Sequence, residues 1–139
     1  MYIVDADRSS RTGLERLLRS AGHNVLGFAT SNEFITSIDP ESPCCLVLDA
    51  RIVVHSGREL SMELKARDSY CPIIVVTAED DPESNRIAQE INAAGLFRKP
   101  VDGTALLDAI GWALWSSCTV KKSEQNEVRK DNKKKKLGG

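Results

Sequence analysis

The stretch "CPIIVVTA", residues 71–78, limits the fold more than any other part of the chain. It is continuous, β-branched and apolar at every strand position. A strand with one wet face alternates polar and apolar residues. A strand without alternation needs cover on both sides, as in the middle of a parallel sheet flanked by helices. Two shorter runs, "MYIVD" and "CCLVLD", share this character, and each ends on an acid, Asp5 and Asp49. "NVLGFA" and "LFR" read as two further strands.

Amphipathic stretches separate these runs. "RTGLERLLRSAGH" places Leu14, Leu17, Leu18 and Ala21 at helical spacing, with Gly22 as the stop. Ser31 is expected to cap a second helix carrying Phe34, Ile35 and Ile38, ending before Pro40. After Asp49 a loop is expected, then a third helix in "GRELSMELKA" with Leu60 and Leu64 on one face. Asp81 caps a fourth helix with Pro82 at its first position. "DGTALLDAIGWALWSS" closes the domain with Leu106, Leu107, Ile110 and Leu114 inward. Five strands alternating with five helices, joined by right-handed crossovers, give an α/β fold: a (βα)5 doubly wound parallel sheet in three α/β/α layers.

In such a sheet, ligands bind outside the carboxyl ends of the strands. Asp5, Asp49, Thr77 and Lys99 all fall at or just after strand ends, so residues spread along the chain are expected to meet on one rim. Two acids there favour a hard divalent cation such as Mg²⁺. A lysine supplies a point charge for an anion, and a threonine hydroxyl can bond a phosphoryl oxygen. The set suits phosphoryl transfer, with a carboxylate as nucleophile. Plainer readings exist for each member. Asp5 and Asp7 could cap the first helix, Asp49 could be a loop acid or cap, Thr77 an ordinary strand end, and Lys99 a solvated surface lysine.

Composition adds bounds. With 139 residues, 41% hydrophobic and 28% charged, the chain is long enough for a core without disulfide or metal staples. Cys44, Cys45, Cys71 and Cys118 have no zinc-site spacing and read as buried reduced thiols, with adjacent Cys44 and Cys45 on opposite faces of a strand. No apolar stretch is long enough for a membrane span, and "MYIV" runs straight into Asp5 without a signal-peptide core, so a cytoplasmic protein is expected. Residues 120–139 carry eight Lys/Arg against three acids, while the rest carries 11 against 17. A folded unit over 1–117 followed by a basic, solvated tail over 118–139 is therefore expected.

In order and spacing, Asp5 in "IVDAD", Asp49 in "LVLD", Gly57, Thr77-Ala78 in "VVTA" and Lys99-Pro100 in "FRKPV" resemble a response-regulator receiver domain, CheY-like and flavodoxin-like in fold. The wording of residues 16–35 and 56–78 is similar to receivers of FixJ/LuxR-type two-component regulators. The resemblance implies that Asp49 accepts a phosphoryl group from a histidine kinase or phosphotransfer protein. It implies Mg²⁺ held by Asp5, Asp49 and the Arg51 backbone carbonyl, with Asp7 as a substitute ligand. It implies that Lys99, Thr77 and Ala78 bind the phosphoryl group, and that a cis peptide joins Lys99 to Pro100. Such a domain is not a turnover enzyme.

Three departures stand out. Ala6 replaces a usual second acid, which predicts a weaker Mg²⁺ site. Ile52-Val53 replace a usual Met-Pro. Leu96 holds the usual aromatic switch position, and Phe97 is expected to face the other side. The switch face of the fourth helix, fifth strand and fifth helix would carry Leu96, Phe97, Trp112 and Trp115, as a partner or homodimer surface; simple packing of the tryptophans is the alternative. No direct DNA binding by the folded domain is expected, since no apolar periodicity follows it. Two other functions stay open: a degenerate receiver that binds partners without phosphorylation, and a haloacid-dehalogenase-type phosphatase using Asp5 as nucleophile, Asp7 as acid/base and Asp80-Asp81 as metal acids.

Overall fold

The computed structural model describes residues 1–39, 44–78 and 81–119. Five strands, β1 (Tyr2–Val4), β2 (Leu26–Phe28), β3 (Leu46–Asp49), β4 (Ile73–Thr77) and β5 (Gly95–Arg98), form one sheet in the order β2-β1-β3-β4-β5. Every neighbouring pair is parallel. Helices α1 (Arg8–Ser20), α2 (Ser31–Ser37), α3 (Ala50–Ala66) and α4 (Pro82–Glu90) connect them. A fifth helix, α5, runs over residues 103–119. The expected doubly wound architecture is therefore present.

The sheet divides the core in two. Tyr2, Val4, Leu46, Leu48, Ile73 and Val75 face α2, α3 and α4, where Phe34, Val53, Leu60, Leu64 and Ile87 meet them. Ile3, Val47, Ile74 and Val76 face α1 and α5 through Leu14, Leu18, Leu106 and Ile110. Alternate residues of each central strand thus serve different layers, which is why these strands show no polar period. Cys44 and Cys45 fall in opposite layers, as their adjacency requires. Burial pushes the Cys45 thiol up to about 12. The edge strands are wetter: Leu26 and Leu96 are exposed.

Helix ends mostly follow their sequence signals. Gly22 has φ +91° and ends α1 in a Schellman arrangement, its amide on the Arg19 carbonyl and that of His23 on the Leu18 carbonyl. Asp81 caps α4 with Pro82 in its first turn. Three ends differ from expectation. Thr30, not Ser31, caps α2, its hydroxyl accepting from the Glu33 amide at 3.2 Å. Ser31 instead shares a 2.8 Å hydrogen bond with Ser56 of α3. Pro40 lies outside the described residues.

The larger difference is α3. No loop follows Asp49; the helix starts at Ala50, with Asp49 as its cap. Nothing in "ARIVVHS" forbids this, because Val53 stands where a proline would have broken the first turn. Ala50, Val53, Gly57, Leu60 and Leu64 form one buried stripe, so the helical period extends back to the strand. At the other terminus, α5 continues through residues 118 and 119, past the expected boundary at 117. The remainder of the basic stretch lies outside the described residues.

Candidate functional site

The chain reverses its direction of travel across the sheet between β1 and β3, and a crevice opens at the carboxyl ends of those two strands. Asp5 follows β1 and Asp49 ends β3. Both are buried, at 1% and 5% exposure. Between them reaches Lys99 from the end of β5, its Nζ 3.8 Å from Asp5 Oδ2 and 3.6 Å from Asp49 Oδ1. Thr77, buried at the end of β4, gives its carbonyl to the Lys99 amide at 2.7 Å and so seats the lysine backbone. Ala78 is exposed beside it. The Lys99–Pro100 peptide is cis, as the resemblance implied.

Two neighbours were not visible as site residues in the sequence. Lys99 Nζ donates to the Ser10 hydroxyl at 2.6 Å, which steers the ammonium toward the first turn of α1. Arg11 Nη1 donates to the Asp5 carbonyl at 2.6 Å and pins the turn after β1. Both residues lie at helical spacing from the Asp7 cap, but a serine and an arginine in a polar first turn carry no distinguishing signal.

Asp5 is fixed by its own turn: Oδ1 accepts from the Asp7 amide at 2.9 Å. Its other oxygen, Oδ2, is buried and accepts no hydrogen bond. A buried carboxylate oxygen left in this state, next to a second buried carboxylate, is a donor pair for a hard cation, with water filling the remaining positions. The rest of the expected ligand set is occupied otherwise. Asp7 is exposed and caps α1, accepting from the Ser9 amide at 3.0 Å. Arg51 is the second residue of α3, so its carbonyl points along the helix toward the amide four residues on. Among the described residues, no three metal-ligating side chains come together. Ala6 lines a groove of about 700 Å³ between α2 and α3, together with Ile35, Ile52 and Leu60.

The Arg51 side chain turns back over the site instead. Its amide donates to Asp49 Oδ2 at 3.2 Å, and its Nε lies 3.5 Å from the same oxygen. Asp49 is therefore approached by a cation on each oxygen.

At the switch face, Leu96 is exposed on β5, whereas Phe97 packs against the layer of α1 and α5. Trp112 and Trp115 lie open on α5, stacked with ring centroids 5.0 Å apart. The expected opposition of Leu96 and Phe97 is present. As a surface the face consists of Leu96 and the two tryptophans, without Phe97.

Comparison with known proteins agrees with this fold. The model of the response regulator receiver domain family matches residues 1–111. The chain is 34% identical over 110 residues to nodulation protein W of Bradyrhizobium diazoefficiens, covering 79% of this chain and 48% of that protein. It is 30% identical over 131 residues to the transcriptional regulatory protein FixJ of Azorhizobium caulinodans, covering 94% of this chain and 61% of that one. The chain thus spans only part of the length of the curated relatives it matches. Among solved structures, response regulator StyR superposes with a TM-score of 0.82 at 36% identity, over 94% of this chain and 66% of that chain. FixJ-N gives 0.72 at 27% identity, over 81% and 90%. Nothing in these matches favours the phosphatase or the degenerate-receiver reading. Asp80, one of the acids the phosphatase reading needs, lies outside the described residues.

Proposed function

Because the chain belongs to the response regulator receiver domain family of two-component signalling, we propose that Asp49 accepts a phosphoryl group from the phosphohistidine of a sensor kinase or phosphotransfer protein. One observation carries this reading. Asp49 is a buried carboxylate at the switch point of the sheet, with Lys99 Nζ 3.6 Å from Oδ1 and a second carboxylate, Asp5, on the same ammonium.

The chemistry follows from that arrangement. The β3 backbone and the α3 N-terminus hold Asp49 rigidly, so an incoming phosphoryl group meets a fixed nucleophile. Lys99 neutralises the charge that the phosphoryl oxygens bring into a partly dry crevice. Thr77, at the adjacent strand end, is placed to offer its hydroxyl to a phosphoryl oxygen, with Ala78 leaving room beside it. Asp5 and Asp49 would hold Mg²⁺, a reading supported by the buried Asp5 oxygen that accepts no hydrogen bond. When bound, Mg²⁺ supplies charge neutralisation and alignment for the transferring group. A Thr77 drawn toward the phosphoryl group would bias the neighbouring face of α4, β5 and α5, where Leu96 occupies the switch position. Leu96, Trp112 and Trp115 on that face suit a protein partner or a second copy of the chain. Receiver domains are signalling modules rather than turnover enzymes, and the same role is proposed here, in the cytoplasm, with residues 1–117 as the unit and no DNA contact of its own.

Incubation with acetyl phosphate and Mg²⁺, followed by a phosphate-affinity gel, tests the assignment. A retarded band is expected, absent from Asp49→Asn. A band that persists in Asp49→Asn would overturn the choice of acceptor.

A further inference from the structure

We infer that the Arg51 side chain is a second phosphoryl-binding cation, closing with Lys99 around the group transferred to Asp49. This rests on Asp49 being the acceptor.

Geometry comes first. Each oxygen of Asp49 faces its own cation, Oδ1 the Lys99 Nζ at 3.6 Å and Oδ2 the Arg51 Nε at 3.5 Å. Asp49 itself is buried, but the Arg51 side chain is 76% exposed. The guanidinium is therefore free to swing by the small distance a phosphoryl group needs. Its position has a structural cause. Side chains on a helix lean toward its N-terminus. Because α3 begins at Ala50, an arginine at its second residue must lean back over Asp49. Had a loop followed the strand, as the sequence suggested, this direction would not be fixed.

Helix electrostatics give independent support. The N-terminus of a helix carries partial positive charge, and a cation in its first turn is disfavoured. The first turn of α3 contains no acid and does contain Arg51. By contrast, α2 and α4 carry Glu33 and Glu83 in that turn. A cation kept where the helix opposes it is a local conflict of the kind found at functional sites. An anion placed there would reverse the sign of the conflict.

The transfer balances without a further reagent. Asp49 Oδ1 forms the new O–P bond as the donor P–N bond breaks, and the electron pair stays on the imidazole nitrogen, which takes a proton from solvent. Through this, Arg51 keeps the second carboxyl oxygen oriented, then offers its remaining N–H groups to the phosphoryl oxygens, a planar donor set that matches them. At neutral pH the phosphoryl group brings about two negative charges, which Lys99 and Arg51 together offset.

The test uses beryllofluoride as a phosphoryl mimic at fixed Mg²⁺, with adduct affinity read by ¹⁹F NMR on the full chain. Arg51→Ala is expected to weaken the adduct about tenfold, the size of one charge-assisted hydrogen bond. Arg51→Lys should retain part of the affinity, and Arg51→Gln, uncharged but of similar helix propensity, should fall with the alanine variant. Thermal unfolding should find Arg51→Lys matching wild type and the two uncharged variants no less stable than it, since losing the cation relieves its conflict with the helix N-terminus. Equal affinity for wild type and Arg51→Ala, with Asp49→Asn blocking the adduct, would overturn the role of Arg51 alone. Equal loss in Arg51→Lys and Arg51→Ala would reduce Arg51 to a structural part. No adduct on wild type, or one surviving Asp49→Asn, would overturn the acceptor assignment and this inference with it.

Discussion

The two helices that start at the switch point differ from the two that follow β2 and β4. All four begin on a side-chain cap: Asp7 for α1, Asp49 for α3, Thr30 for α2 and Asp81 for α4. As caps they do the same work, giving an oxygen to an amide of the first turn. The first turns diverge. Glu33 and Glu83 sit where the helix dipole favours an acid, in α2 and α4. The switch-point helices carry no acid there, and their first turns hold Arg8 and Arg51. The helices away from the crevice are built for stability. Those at the crevice accept a local cost, and in α3 this sets the Arg51 cation beside Asp49. The cap of α3 is also the only one of the four aspartate or threonine caps that is buried against a lysine and a second carboxylate.

The largest expected effect separates the cap of α3 from the cap of α1. Asp49→Asn keeps a capping oxygen, so the fold should survive while phosphorylation from acetyl phosphate is lost completely. Asp7→Asn, the same change three residues into the other crevice turn, should leave phosphorylation within about twofold of wild type, a stability-neutral swap between good caps. Loss of phosphorylation in Asp7→Asn would make Asp7 a ligand and end the distinction between the two.

Next in size is Lys99→Met. It leaves two buried carboxylates facing each other with no ammonium between them. Breaking a fully buried pair costs about 3–5 kcal/mol; with the lysine side chain at 27% exposure, a loss of about 2 kcal/mol at neutral pH is expected in chemical unfolding. Mg²⁺ should restore more stability to this variant than to wild type, because metal and ammonium compete for the same oxygens. If Mg²⁺ raises the melting temperature of both equally, the two acids do not form the metal site.

Much of this site is legible in the sequence because parallel topology does the gathering. Apolar runs mark β1, β3 and β4, and the polar residue that ends each run must lie on the rim. Asp5, Asp49 and Thr77 follow from that rule alone, and Lys99 from its place just after the short fifth run. Arg51 does not, because its role depends on whether the chain after Asp49 is loop or helix. "RIVVH" contains β-branched residues of modest helix propensity, which hides the helical start. The stripe from Ala50 through Val53 and Gly57 to Leu60 was the available signal, and it is a packing signal rather than a chemical one. Ser10 and Arg11 escape for a different reason: their contacts are set by how α1 docks on the sheet, which no local pattern encodes. The shift of the α2 cap from Ser31 to Thr30 reflects two adjacent hydroxyls, of which Thr30 stands three residues before Glu33 as a capping box needs.

A smaller effect compares caps that carry no chemistry. Asp81→Ala removes the oxygen that accepts from the Glu83 amide at 3.1 Å and should cost about 1 kcal/mol of stability. Asp7→Ala should cost a similar amount through the Ser9 amide. Neither should change the affinity of Asp49 for beryllofluoride more than about twofold. A large loss of affinity in Asp81→Ala would mean that the start of α4 is coupled to the crevice, as a switch face would require, and would blur the division drawn between the helix pairs.

The smallest effect tests that division directly. Arg8→Glu puts an acid into the first turn of α1, where the dipole favours it, and should raise stability by about 0.5 kcal/mol; Glu83→Arg in α4 should lower it by a similar amount. Both side chains lie at exposed positions, so packing should change little. The two shifts should shrink together as salt is raised from 0.01 to 0.5 M, since the Debye length falls from about 30 Å to a few ångströms. If Arg8→Glu instead destabilises, the arginine is held in place by crevice carboxylates even in the resting protein. The positive first turns would then balance Asp5 and Asp49 before any phosphoryl group arrives. If it stabilises and also weakens the beryllofluoride adduct, Arg8 belongs with Arg51 among the cations kept for the phosphoryl group at the expense of the helix they begin.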